Sequence, residues 1–193
     1  MPQRERLRLV VVGTALVNLY DELLRALEPD RRAHSLAVGR KAEAAASTVR
    51  AAVRSDLVTA AVLHDIGYAH PGTGFHPLDG ARFLDGLGFS RAVCHLVVHH
   101  SGSTWEAEER GLDLTVYAEF AVSDVDLGPA HAVLWWADMT TGPDGADVRV
   151  EDRLSEICAR YGPDDVVTRF ISRARPVLVA AGQSPVGSIQ VPC

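Results

Sequence analysis

The run Ala61-Val62-Leu63-His64-Asp65-Ile66-Gly67 sets an imidazole and a carboxylate side by side at the end of an apolar stretch, with a glycine two residues on. Adjacent positions on a helix point about 100° apart, so His64 and Asp65 do not share one packing niche. Near a helix end both can still reach a cation. Imidazole offers one neutral nitrogen. A carboxylate offers two oxygens, so Asp65 can bridge two ions. Further residues of ligand type lie far apart along the chain: His34, His76, His99, His100 and Asp138. Asp138 falls near the end of an apolar helical segment, where a negative charge opposes the helix dipole and needs another reason to be there. Histidine with carboxylate suits iron, manganese and other first-row divalent ions better than magnesium alone. Two such ions about 3.5–4 Å apart can polarise a phosphoryl oxygen and activate water.

Helical periodicity supplies the elements that must bring these residues together. The pattern predicts a helix over residues 6–28, ended at Pro29, and a second from Arg31 to about Val53, capped by Asp30. Ser55 or Asp56 opens a third, which runs through His64-Asp65 and stops at Gly67, where the chain turns away and leaves the site open. Pro71, Gly72 and Gly74 make residues 68–76 a loop. Pro77 suits the first turn of a helix to about Leu87. Ser90 caps the next, which carries His95, His99 and His100. Weaker helical signal covers 106–122, and stronger signal covers 131–139, 150–161 and 164–181, with a loose tail after Gly182. Strand alternation is absent, so the fold class expected is all-α, a helical bundle able to converge side chains from several helices on one core site.

The chain has 193 residues, 47% hydrophobic and 23% charged, with a net charge of −6. That fits one domain with a full core. It disfavours a basic face for a nucleic-acid polymer, while leaving room for a small phosphorylated substrate. The three cysteines, Cys94, Cys158 and Cys193, have no zinc-finger spacing, and a reducing, cytoplasmic setting is expected. Arg4, Arg6 and Arg8 precede an apolar run, Leu9–Val17, that is too short to span a bilayer. It reads as part of a buried first helix, and no membrane role is expected.

The order His34, His64-Asp65, His76, His99-His100, Asp138 resembles the HD-domain superfamily of metal-dependent phosphohydrolases, and His64-Asp65-Ile66-Gly67 spells its HDIG form. The resemblance covers roughly residues 31–145. His76-Pro77-Leu78-Asp79-Gly80, Val97-Val98-His99-His100 and Trp136-Ala137-Asp138 are similar to the branch with two metal ions, which includes dinucleoside-tetraphosphate hydrolases and cyclic-dinucleotide phosphodiesterases. After His100 stands Ser101-Gly102-Ser103-Thr104-Trp105, without the Gly-Tyr-Pro of the cyclic-dinucleotide enzymes.

The resemblance implies that His34, His64, Asp65 and Asp138 hold one metal. It implies that Asp65 bridges to a second, held by His76 and by His99 or His100. Spacing from the apolar residues favours His99, with His100 behind it. The implied cofactor is one or two divalent ions, iron or manganese first, with zinc, nickel, cobalt or magnesium also admitted. The implied reaction is attack of metal-bound hydroxide on the phosphorus of a phosphate ester or nucleotide, with His64 and Asp65 at the chemistry. Lys41, two turns after His34, is expected on the same face to neutralise phosphate, as are Arg31 or Arg32. His95 shares a side with His99. His70 and His131 read as ordinary histidines, Cys94 as packing, and Trp135 and Trp136 as core and pocket wall. Two other functions remain open: a mixed-valent di-iron oxygenase of the same fold, and a non-catalytic metal-binding sensor or interaction domain. The oligomeric state stays open.

Overall fold

The computed structural model describes residues 14–123, 126–187 and 189. Among them are nine α-helices and no strand: α1 (Thr14–Leu24), α2 (Pro29–Ala45), α3 (Ala51–Leu63), α4 (His76–Gly86), α5 (Arg91–Val98), α6 (Ser103–Glu109), α7 (Gly128–Met139), α8 (Val150–Tyr161) and α9 (Val166–Gln183). The expected all-α class holds. Most of the apolar Leu9–Val17 run lies outside the described residues.

The central element is α3. Leu57, Ala60, Ala61 and Leu63 are each fully buried. A helix apolar on nearly all sides belongs inside a bundle rather than on its surface. Around it lie α2, α5 and α7. The small residues of α2 let it approach closely: a Cβ on Gly39 would sit 2.4 Å from Val62 Cγ2. The expected α2 overshoots. The helix ends at Ala45, a short 3-10 turn follows (Ala46–Thr48), and Val49 is extended (φ −107°, ψ 151°) before α3 starts at Ala51. The fold needs that break, because α2 must reverse to lie along α3. The weak signal over 106–122 likewise resolves into α6 and a 3-10 segment, Leu114–Phe120.

Two local features aim the site. His64 ends α3, and Asp65 sits in the bridge region (φ −94°, ψ 4°) ahead of a 3-10 turn, Ile66–Tyr68. Gly67 is needed here for closeness and not for a left-handed turn: a Cβ would lie 2.0 Å from the His76 carbonyl oxygen and 2.6 Å from Gly80 N. The N-terminus of α4 therefore rests directly on the His-Asp turn. The glycine-rich loop before it is folded by Asp79, whose carboxylate accepts from Thr73 N (2.7 Å), Thr73 Oγ1 (2.8 Å) and Gly74 N (3.0 Å). Past α7 the chain closes a small loop through the Thr141–Asp147 bridge. Helices α8 and α9 pack together and cover the opposite side of the site. The tail is not wholly loose, since Ile189 N donates to Gly128 O at the start of α7 (3.0 Å).

Replacing Gly67 by alanine must displace backbone. Gly67→Ala is expected to cost about 3 kcal/mol, the upper end of overpacking effects, read from the urea midpoint. Gly86→Ala, at a helical position with open space around it, is expected to gain up to about 1 kcal/mol.

Candidate metal centre

Four histidines and two aspartates from five parts of the fold meet in the core. His34 comes from the second turn of α2, His64 and Asp65 from the end of α3, and His76 from the first residue of α4. His100 follows α5, and Asp138 lies in the last turn of α7. His34, His64, Asp65, His100 and Asp138 are all at most 5% exposed. Ligand atoms of His34, His64 and Asp65 lie within 4.8 Å of one another, as do those of Asp65, His76 and His100. Asp65 is the residue common to both groups.

One oxygen of each carboxylate faces inward. Asp65 Oδ1 lies 3.6 Å from His64 Nε2, 3.5 Å from His76 Nε2 and 4.0 Å from His100 Nε2. Asp138 Oδ1 lies 3.1 Å from His34 Nε2 and 3.7 Å from His64 Nε2. The outer oxygens are held from behind: Arg31 Nη1 donates to Asp65 Oδ2, and Ser101 Oγ donates to Asp138 Oδ2. Ser101 reaches Asp138 from a left-handed backbone (φ 45°, ψ 43°), followed by Gly102 at φ 79°. A buried non-glycine residue in that region is strained, and such strain concentrates at functional sites.

The imidazoles are oriented by the same device. Nδ1 of His34, His64 and His100 meets the carbonyls of Gly142 (3.0 Å), Ala61 (2.9 Å) and Val97 (2.6 Å). A carbonyl only accepts, so each Nδ1 carries the proton; in His64 and His100 this leaves the Nε2 lone pair toward the centre, as in metal-ligating histidines, while His34 Nε2 meets the Asp138 carboxylate and donates to it. Burial disfavours the imidazolium of His64 and outweighs the pull of Asp65 and Asp138, so its pKa falls below the ordinary histidine value. Burial also holds His76 well below that value, against the pull of Asp65. Burial opposes ionisation of Asp65, yet His64, Arg31 and His76 override it and keep the carboxyl well below its usual range. The centre thus presents an ionised Asp65 beside neutral His64 and His76, the protonation states that bind metals, while at His34 burial is outweighed by the bond to Asp138 and the pKa rises above the ordinary histidine value.

The donor set fits a divalent cation on two observations. His64 Nε2 is buried without a hydrogen-bond partner. His76 Nε2 and His100 Nε2 are 3.2 Å apart. With the His100 proton committed to Val97, that contact needs a proton on His76 or a cation shared by both nitrogens. Residues His34, His64, Asp65 and Asp138 could hold one ion, and Asp65, His76 and His100 a second.

Four sequence expectations are corrected or narrowed here. The histidine facing the centre is His100, not His99. Gly102 and Ser101 kink the chain after α5, and the ring of His99 packs instead on Tyr117, His95 and His131, with centroids at 4.6, 4.5 and 6.0 Å. Burial and the neighbouring His95 hold His99 down to about 3. Lys41 does not reach the cavity. Its Nζ is bound to Thr140 O (2.7 Å), Thr140 Oγ1 (2.8 Å) and Asp147 (2.8 Å), so it ties the α7 terminus to α2. Arg32 pairs with Asp21 (3.2 Å), which leaves Arg31 as the basic side chain of that pair at the site. Neither tryptophan lines the cavity: Trp135 is buried and donates to His99 O, and Trp136 lies beneath Lys41.

The centre opens on a cavity with about 660 Å³ of non-atom space, part of it exposed to solvent. Arg31 stands at it, its guanidinium 3.5 Å above the Tyr68 ring. Tyr68 in turn stacks on His76 at 4.1 Å. Ser101, Tyr68 and the buried Glu106 escaped the sequence reading. The one available signal was Ser101-Gly102 directly after the paired histidines. His100→Asn is expected to lower the metal found per chain by elemental analysis. His99→Leu is expected to leave it unchanged and to fold at least as stably, since it removes a buried nitrogen, Nδ1, that has no partner.

Comparison with known proteins agrees with this geometry. No curated protein and no solved structure gives a significant match. The family model of the HD domain matches residues 31–156, which runs from Arg31 at the cavity into α8 and takes in all six clustered residues. The chain belongs to the HD domain family.

Proposed function

We propose that the protein is a metal-dependent phosphohydrolase acting on a phosphate ester or nucleotide at a dinuclear centre. The observation that carries this reading is the pair of three-ligand groups sharing Asp65 at the floor of an open cavity. A purely structural ion would be closed in by its ligands. In this reading His34, His64, Asp65 and Asp138 hold one ion, and Asp65, His76 and His100 hold the other. A pair of divalent ions supplies Lewis acidity, which acidifies water and draws charge from a phosphoryl oxygen.

The chain's own groups do the positioning. Arg31 and Ser101 keep the carboxylates of Asp65 and Asp138 turned inward. Arg31, its guanidinium 3.5 Å from the centre of the Tyr68 ring at the cavity edge, is the group placed to meet a phosphoryl oxygen through the N–H donors that its bond to Asp65 leaves over. The reaction balances simply. A water oxygen bonds to phosphorus, the ester P–O bond breaks, and its electron pair leaves with the alcohol, which gains a proton.

Protein purified without added metal is expected to carry about two ions per chain and, under anaerobic conditions with manganese or iron, to release phosphate from a panel of phosphate esters. Asp65→Ala and His64→Ala are expected to lose both metal and turnover while keeping their helicity by circular dichroism. Strict iron dependence with dioxygen uptake would instead assign an oxygenase. Full metal occupancy without turnover on any ester would assign a sensor or interaction role.

A further inference from the structure

The far wall of the cavity is built by α8 and α9, and α9 lies wholly beyond the residues matched by the family model. Its lining is apolar: Met139, Leu154, Ile157, Phe170, Ile171 and Leu178 all face it, each at most 8% exposed. Two cations of α8 stand in this wall, Arg160, whose side chain is exposed and pairs with Glu156, and the buried Arg153. The Arg153 side chain is 9% exposed and its Nη1 pairs with Glu156 Oε2 at 2.6 Å. Its Nε is buried with no partner at all. A buried guanidinium N–H left unpaired is costly, and an apolar wall offers it nothing. Arg153 also lines the same cavity as His34 and Asp138.

We propose that the substrate is a phosphate monoester of an apolar or aromatic alcohol, with the Arg153 guanidinium donating to a phosphoryl oxygen and the α8–α9 wall enclosing the alcohol portion. This rests on the phosphohydrolase reading and narrows it. Arg31 and Arg153 approach the cavity from α2 and α8, so an anion between them meets a guanidinium from each side. A hydrophilic alcohol such as glycerol would have to strip its hydroxyls of water against leucine, isoleucine and phenylalanine. An aromatic or alkyl group would instead gain from the same surface.

The test compares phenylphosphonate with methylphosphonate, both resistant to hydrolysis, by calorimetric titration into the metal-loaded protein. Phenylphosphonate is expected to bind roughly tenfold more tightly or better. Arg153→Gln is expected to weaken both ligands by about tenfold or more. Ile157→Phe, which fills the chamber, is expected to weaken phenylphosphonate alone. Phenyl phosphate is expected to be hydrolysed with a kcat/KM at least about tenfold above that of glycerol 2-phosphate. Equal binding of the two phosphonates by the unmodified protein would overturn the proposal, whether or not the variants fold. So would unchanged binding in Arg153→Gln. Selective phenylphosphonate binding without hydrolysis of any ester would overturn the phosphohydrolase reading and leave the chamber assignment standing. Phosphate release with no aromatic preference would do the reverse.

Discussion

The molecule is arranged around an ionised carboxylate that is almost entirely withdrawn from water. Asp65 is buried, and removing such a charge from water costs several kcal/mol unless other charges and hydrogen bonds replace the solvent. Here the replacement is dense. Arg31 takes the outer oxygen, and the inner one faces three imidazole nitrogens at 3.5–4.0 Å. No one of these partners lies on the helix that carries the aspartate except His64. The cost is therefore met only when α2, α3, α4 and the turn after α5 are all in place, which couples the site to the whole bundle.

The scaffold meets that demand with short, stiff devices. Three histidines are locked through Nδ1 to backbone carbonyls, two of them, Ala61 and Val97, only three residues upstream. That local bond fixes ring direction without needing another side chain. His34 uses a distant carbonyl, Gly142, on the loop after α7, so the loop's closure also sets the direction of that ring. Gly67 removes the last steric obstacle, allowing the α4 N-terminus and His76 to descend onto the His-Asp turn. Lys41 serves the same purpose from a distance, tying Thr140 and so the end of α7 to α2.

The two halves of the cavity have different characters. The floor is polar, charged and built by the segment that defines the family. The wall is apolar and comes largely from α8 and α9, the last of which lies past that segment. In the proposed reading the floor sets the reaction chemistry and the wall sets which molecule fits. Arg153 is the exception. It belongs to the wall but carries a charge, and it lines the same cavity as His34 and Asp138.

Residue type and order made the clustered residues legible: His34, His64, Asp65, His76 and Asp138 are chemically conspicuous, and helical periodicity gave the all-α class and most helix positions. The choice between His99 and His100 was not legible, because it depends on where α5 ends, and that is set by a strained Ser101 and left-handed Gly102 rather than by period. Lys41 was placed on the correct helix face but not at the correct target, since seven residues give a direction and not a partner. The cavity wall was invisible for the same reason. Leu154, Ile157, Phe170 and Leu178 look like any core residues in sequence, and only their packing beside Arg153 separates a chamber from a filled interior. The chain by itself determined which groups could do chemistry. The tertiary structure decided which of them meet, because convergence depends on backbone turns and close contacts between segments far apart in sequence.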